Sequence, residues 1–500
     1  MSARTPSPRR CRDRRPLKAL AGALVAGATC LAIFASGVPS DATAEPGGSG
    51  LPDDVETMKE AFEAYIESIQ AMADSFVEAE AFTLDPAHSV GAYDLITAFV
   101  HAGLRNNMSS SGTGKRGYPR FAGFDDPDTR IGVDNPDTQY MGTIVNNADC
   151  QAIFRIFGER TNTVDFILTN FDTSSGSGGG PTLEDEDMVF HGPNNAFEVF
   201  ASCPENRDPA WENWLELVPA ETLQIARRQS HCDYENEAPG PIHIERMGTA
   251  GVPSGPLSPA IMTEQINDAI ALNEVQAPFW PAFVDQVKQI PVNTATPWRP
   301  TGGLGITTQA SMLMWFDLED DEAMIIRLTD EDPRLSNGAA KYYGFQLANF
   351  WGSSADWANR HVSINWGLDG GCQAEQAVGP SPHPAQAVIT ANGGPNCGFQ
   401  NAYFVVVSKQ DPGVQNWVET AELSEGILAG RLQSVDPSEF PFVVGLGSCL
   451  LPVAFPPMPV AQVAPFLQSI GAASPGLTPA DRTDQLEVRQ NFARDKYIFW

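Results

Sequence analysis

Two histidine–carboxylate pairs are the first residues in the chain that could do chemistry. His231-x-Asp233 and His243-x-Glu245 lie in a stretch, 222–247, that reads as a β-hairpin. Residues two apart share a strand face. A symmetric turn through 234–240 would set His231 opposite His243, and two imidazoles with two carboxylates suit zinc or a similar divalent metal. One step of register removes that cluster, and a polar hairpin face is the plain alternative. A second group suits acid/base chemistry. Asp233, Glu237 and Asp137 offer a base, Arg227 orients an anion or stabilises developing charge, and Tyr140 lies near Asp137 in sequence. A third group, Asn349, Trp351, Asp356, Asn416 and Trp417, combines aromatic faces with amide and carboxylate neighbours, a mixture that suits a glycan or a small amphiphile. Burial in the sandwich core is the alternative for these tryptophans.

The heptapeptide DPGVQNW at 411–417 belongs to both readings. Pro412 fits the first corner of a type II turn and Gly413 the positive φ of the second, with Asp411 bonding back to the turn amides. Asn416 and Trp417 then either lock this corner against a sheet or contact a ligand.

Several chemistries leave no trace. There is no G-x-S-x-G elbow, H-E-x-x-H, Walker loop or helix-opening G-x-G-x-x-G. The glycine run at 176–180 has neither the following lysine nor a helix to cap, so it reads as linker. Acidic runs such as 184–187 and 319–322 are solvated loops unless two carboxylates meet across a cleft.

The 500-residue chain is long enough for two or more domains. Residues 1–44 carry seven basic residues before an Ala/Gly-rich apolar run and then Ala42-Thr43-Ala44, the order of a signal peptide. Arg14-Arg15 resembles a twin-arginine export signal, and ordinary Sec export fits equally. The expected location is therefore secreted, periplasmic or cell envelope, with an uncleaved membrane anchor as the alternative. No later run has the roughly 20 apolar residues of a membrane span. Cleavage removes seven basic and two acidic residues and takes the net charge from −31 to −36, which disfavours nucleic acid and anionic membranes as partners. Six cysteines remain, an even number suited to disulfides in an exported chain. Cys372–Cys397 is the expected local bridge, and no CxxC spacing points to a metal.

Periodicity supplies the elements. Helices are expected over 52–80 and 89–105, packed as a hairpin, and over 258–288. The chain's end is a helix with Thr478 as N-cap and Pro479 at its first position. Short β-like runs fill 119–257 and 303–435, and alternation in RHVSINW buries Val362, Ile364 and Trp366 on one face. No repeat of 20–50 residues is visible. The expected architecture is mainly β with helical additions. It comprises a leader and helical hairpin (45–118), a first antiparallel β-sandwich (119–257), a helical linker (258–302), a second jelly-roll-like sandwich (303–435), and a Pro-rich tail with a terminal helix (436–500).

Several longer segments carry a family resemblance. DNPDTQYMGTIV with AIFRIFGERTNTVDFIL, TLQIARRQSHCDYENEAPGPIHIERMG, MWFDLEDDEAMIIRL, YYGFQLANFW with DWANRHVSINW, DPGVQNWVETAELSEGILAGRL and the terminal TPADRTDQLEVRQNFARDKY together resemble a bacterial family of unknown function. Its C-terminal module is catalogued as domain of unknown function twelve-fourteen. The resemblance covers most of 89–433 and the last helix. It implies jelly-roll-like sandwiches with helical additions and brings no reaction. Tyr234 and Glu235 stand where that family has Trp and Asp, and His231 and His243 where it has an aromatic residue and Arg, which weakens the metal reading. The insertion at 367–400 lies outside the shared pattern. Two functions follow as expectations: an exported protein binding a glycan or small amphiphile at the second sandwich or the seam between domains, or a secreted hydrolase using carboxylate acid/base chemistry, with or without a divalent metal. No resident cofactor is expected beyond that metal.

Overall fold

In the computed structural model, the described residues are 51–108, 119–125, 130, 132–172, 180–252, 258–300, 306, 308–329, 341–367, 402–435, 452–470, 472 and 476–496. Residues 1–44, expected as a signal peptide, together with Cys372, Cys397 and most of the insertion, lie outside them.

Among the described residues the first sandwich has nine strands: β1 (Ala122–Asp125), β2 (Thr138–Val145), β3 (Phe154–Glu159), β4 (Asp165–Asp172), β5 (Thr182–Glu184), β6 (Ala196–Ser202), β7 (Trp214–Glu216), β8 (Leu223–Ser230) and β9 (Ile242–Arg246). They form one sheet in the order β1-β2-β8-β4-β5 and another in the order β7-β6-β3-β9. The second sandwich runs β10 (Arg299–Pro300), β11 (Ala310–Asp317), β12 (Glu322–Thr329), β13 (Tyr342–Ala348), β14 (Ser363–Gly367), β15 (Ala402–Ser408), β16 (Trp417–Glu419), β17 (Glu425–Gln433), β18 (Val453–Ala454) and β19 (Met458–Pro459). Its sheets are β10-β11-β17-β13-β14 and β16-β15-β12-β18, with β19 also on β12.

Adding nine to each strand number of the first sandwich reproduces the second, so the two domains share one topology. The sequence carries the same duplication at a spacing of about 200 residues. Asp208-Pro209 and Asn213-Trp214 match Asp411-Pro412 and Asn416-Trp417. Arg227-Arg228-Gln229-Ser230 matches Arg431-Leu432-Gln433-Ser434. Both runs lie at the ends of the central strands, Ser230 closing β8 and Ser434 following β17 directly. The pairing is antiparallel except at the edges, where β6 with β7 and β15 with β16 run parallel.

Alternation fills each core. Ile156, Phe166, Leu168, Val199 and Ile225 are among the residues closing the first sandwich, and Met312, Met314, Phe316, Phe345, Val405 and Leu428 the second. The helices α1 (Asp53–Glu78), α2 (Pro86–Ala102) and α3 (Pro259–Val287) pack with one another and onto the outer face of the β11–β17–β13 sheet. The segment expected as a linker is therefore part of a helical layer on the second sandwich, because its buried Trp280 and Val284 meet Phe76, Phe99 and Phe350. Asp85 caps α2 by accepting from Ala87 N, which sets the helix start at Pro86. α4 (Val463–Ser469) covers the β12–β15 sheet. α5 (Pro479–Asn491) starts on the expected Thr478 cap, completed as a capping box by Asp481. Just beyond α5, Phe492 enters the second core and stacks on Tyr234 of the first domain, 4.5 Å between ring centres.

The first domain's β2–β8–β4 sheet turns its outer face to the second domain. Arg431 Nη1 donates to Tyr140 Oη at 3.3 Å, Ser230 Oγ to Gln433 Oε1 at 2.5 Å and Ser434 Oγ to Asp165 Oδ1 at 2.6 Å. The seam is polar and tightly bonded.

Candidate functional site

The chain leaves β8 in one sheet of the first sandwich and enters β9 in the other. No hairpin forms between them. The 231–241 segment crosses between sheets, so the register that would set His231 opposite His243 does not exist. His231 is fully buried in the seam, its ring 5.0 Å from that of Phe492, with its own N–H donating to Asp137 O at 2.8 Å. His243 is exposed on β9 beside Phe157, 5.3 Å between ring centres. Among the described residues, the one trio of His, Cys, Asp or Glu with converging ligand atoms is Cys150, Cys203 and Glu205. Those two cysteines are joined as a disulfide, which leaves no thiolate for a metal. Cys232 is also disulfide-bonded.

The five acid/base candidates each make structural contacts. Asp233 caps its own turn, accepting from Glu235 N and Asn236 N at 3.0 and 3.1 Å. Arg227 is fully buried, donating to Gly240 O at 2.8 Å and to Gln139. Asp137 accepts from Tyr234 and, at 2.5 Å, from Tyr342 across the seam. Tyr140 receives Arg431. Glu237 accepts from Cys232 N at 2.6 Å, and burial pushes its carboxyl up to about 7.

The ligand-binding candidates are dispersed. Trp351 is completely buried under the helical layer, donating to His88 O at 2.7 Å and packed on Phe76. Asn349 folds back onto the Trp351 and Ser353 amides, and exposed Asp356 accepts from Asn359. Asn416 and Trp417 lie at a different corner. Gly413 takes φ +68°, its N–H donating to Asp411 Oδ1 at 2.8 Å, as the type II reading requires. The buried Trp417 donates to Ser408 O at 3.0 Å and sits under the Arg482 guanidinium, 5.0 Å from the ring centre. Arg482 in turn grips both Asp411 oxygens at 3.0 and 3.1 Å. The five side chains do not line one concave surface, and DPGVQNW is a corner lock.

An open groove is found instead at the margin of the first sandwich, where edge strand β1 faces edge strand β9. It has a volume of about 540 Å³. Phe121, Met141, Ile242 and Ile244 give it an apolar floor continuous with the core. Phe157 adds an aromatic wall, and Arg120, His243 and Glu245 stand at the rim. Glu245 is held by Arg155 Nη1 at 3.0 Å, and the Arg155 guanidinium covers the Phe157 ring at 4.6 Å. One wall is backbone. Glu159 N donates to Pro241 O at 3.0 Å, and a Cβ at Gly240 would overlap the Glu159 carbonyl, so glycine alone allows this approach. Of the groove residues, only His243 and Glu245 stood out in sequence. The apolar ones follow ordinary strand alternation, which carries no signal for an open sheet edge.

The chain matches no protein-family model and no curated protein. It is similar in structure to an uncharacterised protein of Burkholderia cenocepacia, with a TM-score of 0.63 and 17% identity over 82% of this chain and 100% of that one. A likeness to the VPA0106 protein of Vibrio parahaemolyticus is weaker, with a TM-score of 0.38 and 9% identity over 80% and 99%. The Burkholderia protein shares the fold.

Proposed function

We propose that this is an exported binding protein that holds a small amphiphile in the β1–β9 groove. The supporting observation is the groove's composition. Five apolar or aromatic side chains form its body, while charge is confined to the rim. Its size lies within the range of roughly 300–1,000 Å³ common to small-ligand sites. An amphiphile fits better than a glycan, because the groove has no array of amide groups beside its one aromatic wall. An acidic head would pair at the rim with Arg120, an exposed cation, while Arg155 is shared between Glu245 and Glu198. No membrane-spanning helix is found among the described residues, and the basic, apolar, small-x-small order of residues 1–44 supports export.

The test is displacement of a fluorescent fatty acid from the full chain. Saturable binding that Phe157→Asp abolishes and Arg120→Glu weakens, with melting temperature unchanged, is the expected result. Binding that survives Phe157→Asp removes the groove as the site.

A further inference from the structure

The seam between the sandwiches holds a second cluster of side chains, remote from the groove. Asp165 opens β4 and Glu184 closes β5 in the first domain. Thr308 precedes β11 and Ser434 follows β17 in the second. Both carboxylates are almost fully buried, at 1% and 5% exposure. Asp165 Oδ1 accepts from Ser434, but Asp165 Oδ2, Glu184 Oε1 and Thr308 Oγ1 make no hydrogen bond. Glu184 lies close to the Thr308 and Ser434 hydroxyls and interacts electrostatically with Asp165.

Such orphaned oxygens are expensive in a low-dielectric interior. The surrounding charge sharpens the problem. Asp165, Glu184, Asp185 and Glu186 are accompanied by two cations: Lys341, which pairs with Asp185 and Glu186, and Arg160, 2.5 Å from Asp185. Arg228, on the same sheet face, is a third and bonds Gln309 beside Thr308, so the four carboxyls still exceed the three cations when ionised. Burial and the neighbouring carboxylates raise Asp165 to about 7, and burial raises Glu184 as well. Either protons or a cation must supply the missing positive charge. The open positions are all hard oxygens, two carboxylate and one hydroxyl, with no sulfur or imidazole among them. That donor set suits calcium better than zinc or copper.

We propose that the seam binds one calcium-class divalent cation through Asp165 Oδ2, Glu184 Oε1 and Thr308 Oγ1, with water completing its shell. Because the ligands come from both sandwiches, the ion fastens one domain to the other.

The test uses the full chain, stripped with EDTA and titrated with calcium chloride. Melting temperature and bound metal by elemental analysis are the readouts. The expected result is one calcium per chain and a rise in melting temperature by mass action, both lost in Glu184→Gln and Asp165→Asn. An acidic surface also gathers calcium weakly, so a rise of equal size in wild type and variants overturns the proposal. So does a melting temperature indifferent to calcium and EDTA that falls as pH rises through about 7, the mark of carboxyls kept protonated. If Asp165→Asn does not fold, Thr308→Val keeps the charge and packing and should still weaken calcium binding.

Discussion

Trp214 and Trp417 occupy the same place in the two sandwiches. Each opens a short edge strand that runs parallel to its neighbour, paired with Phe200 and Val406 respectively. In each case the preceding asparagine carbonyl accepts from that partner's N–H, at 3.1 Å for Asn213 and 2.9 Å for Asn416. An aspartate five residues earlier accepts from the amide two residues on, Ala210 and Gly413. An arginine covers each indole: Arg207 at 4.5 Å and Arg482 at 5.0 Å. The motif is a duplicated corner, which is why it occurs twice in a chain whose open groove lies elsewhere.

Replacing Trp417 should therefore cost stability and leave ligand binding alone. Trp417→Ala removes a buried indole and should destabilise by about 3–5 kcal/mol. Arg482→Ala, which frees Asp411 and uncovers the ring, should cost less. Chemical denaturation gives both values. Unchanged stability with lost fatty-acid binding would return Trp417 to a ligand role.

Glu237 makes stability depend on pH. Burial is the main cause that lifts its carboxyl from 4.5 to about 7, against the opposing Cys232 N–H. The folded state then holds the proton more tightly than the unfolded one. The stabilisation is fully present below about pH 4.5 and is lost as pH rises through about 7. Glu237→Gln should flatten this part of the profile, measured as melting temperature between about pH 4 and pH 8. Asp165 adds a slope of the same sign in EDTA, and saturating calcium should suppress that share only. A Glu237→Gln profile parallel to wild type would show that the carboxyl is ionised throughout.

His88 works in the opposite direction. Burial lowers it to about 4. It stacks on Phe350, with Nδ1 accepting from Phe350 N at 3.4 Å and Nε2 3.1 Å from the Glu425 carbonyl. Those contacts describe a neutral ring protonated at Nε2. The stability it contributes is present above about pH 6.5 and is lost as pH falls through about 4. His88→Gln should remove that acid-side loss at a cost in packing. Ring titration by NMR near pH 6.5 would contradict the assignment.

Local pattern reached the elements but not their partners. Alternation located the sandwiches, and Thr478-Pro479 fixed the last helix to the residue. The crossing between sheets at 231–241 was invisible, because alternation says which face a strand buries and not which sheet it joins. That is why His231 and His243 looked like cross-strand neighbours. The duplication was invisible for another reason: its period is about 200 residues and its signature is a handful of corner and strand-end residues. Helix α3 was readable as a helix from its periodicity, and its Ile266 and Ile270 do pack with Tyr65 of α1; what periodicity does not show is that this helix joins a layer instead of linking two domains. The groove could not be read at all, since the residues lining it are those of any half-buried strand.

The Cys150–Cys203 bridge spans 53 residues and ties the approach to β3 to the end of β6. Closing a loop of that length stabilises by about 4 kcal/mol if the effect is mainly on the unfolded chain. Cys150→Ser with Cys203→Ser should lower the melting temperature by a corresponding amount while sparing the second sandwich. Measured near-ultraviolet signals from Trp298 and Trp357 would then persist to higher temperature than those of Trp211 and Trp214. Coincident loss of both would mean that the seam couples the two domains into a single unfolding unit.

That coupling has its own test at Tyr342. Its hydroxyl donates to Asp137 Oδ2 at 2.5 Å and lies 3.1 Å from Asn135 Oδ1, all fully buried between the domains. Burial, reinforced by the Asp137 charge, holds the phenol well above its usual range, so it stays a donor at any physiological pH. Tyr342→Phe keeps the ring in place and deletes one donor to a buried carboxylate, a loss of about 1–3 kcal/mol. Asp137→Asn removes the charge that both Tyr342 and Tyr234 address. If the network acts as one unit, the double variant should cost less than the sum of the single variants, by at least about 0.5 kcal/mol. Strict additivity would show that the two domains meet here without cooperating.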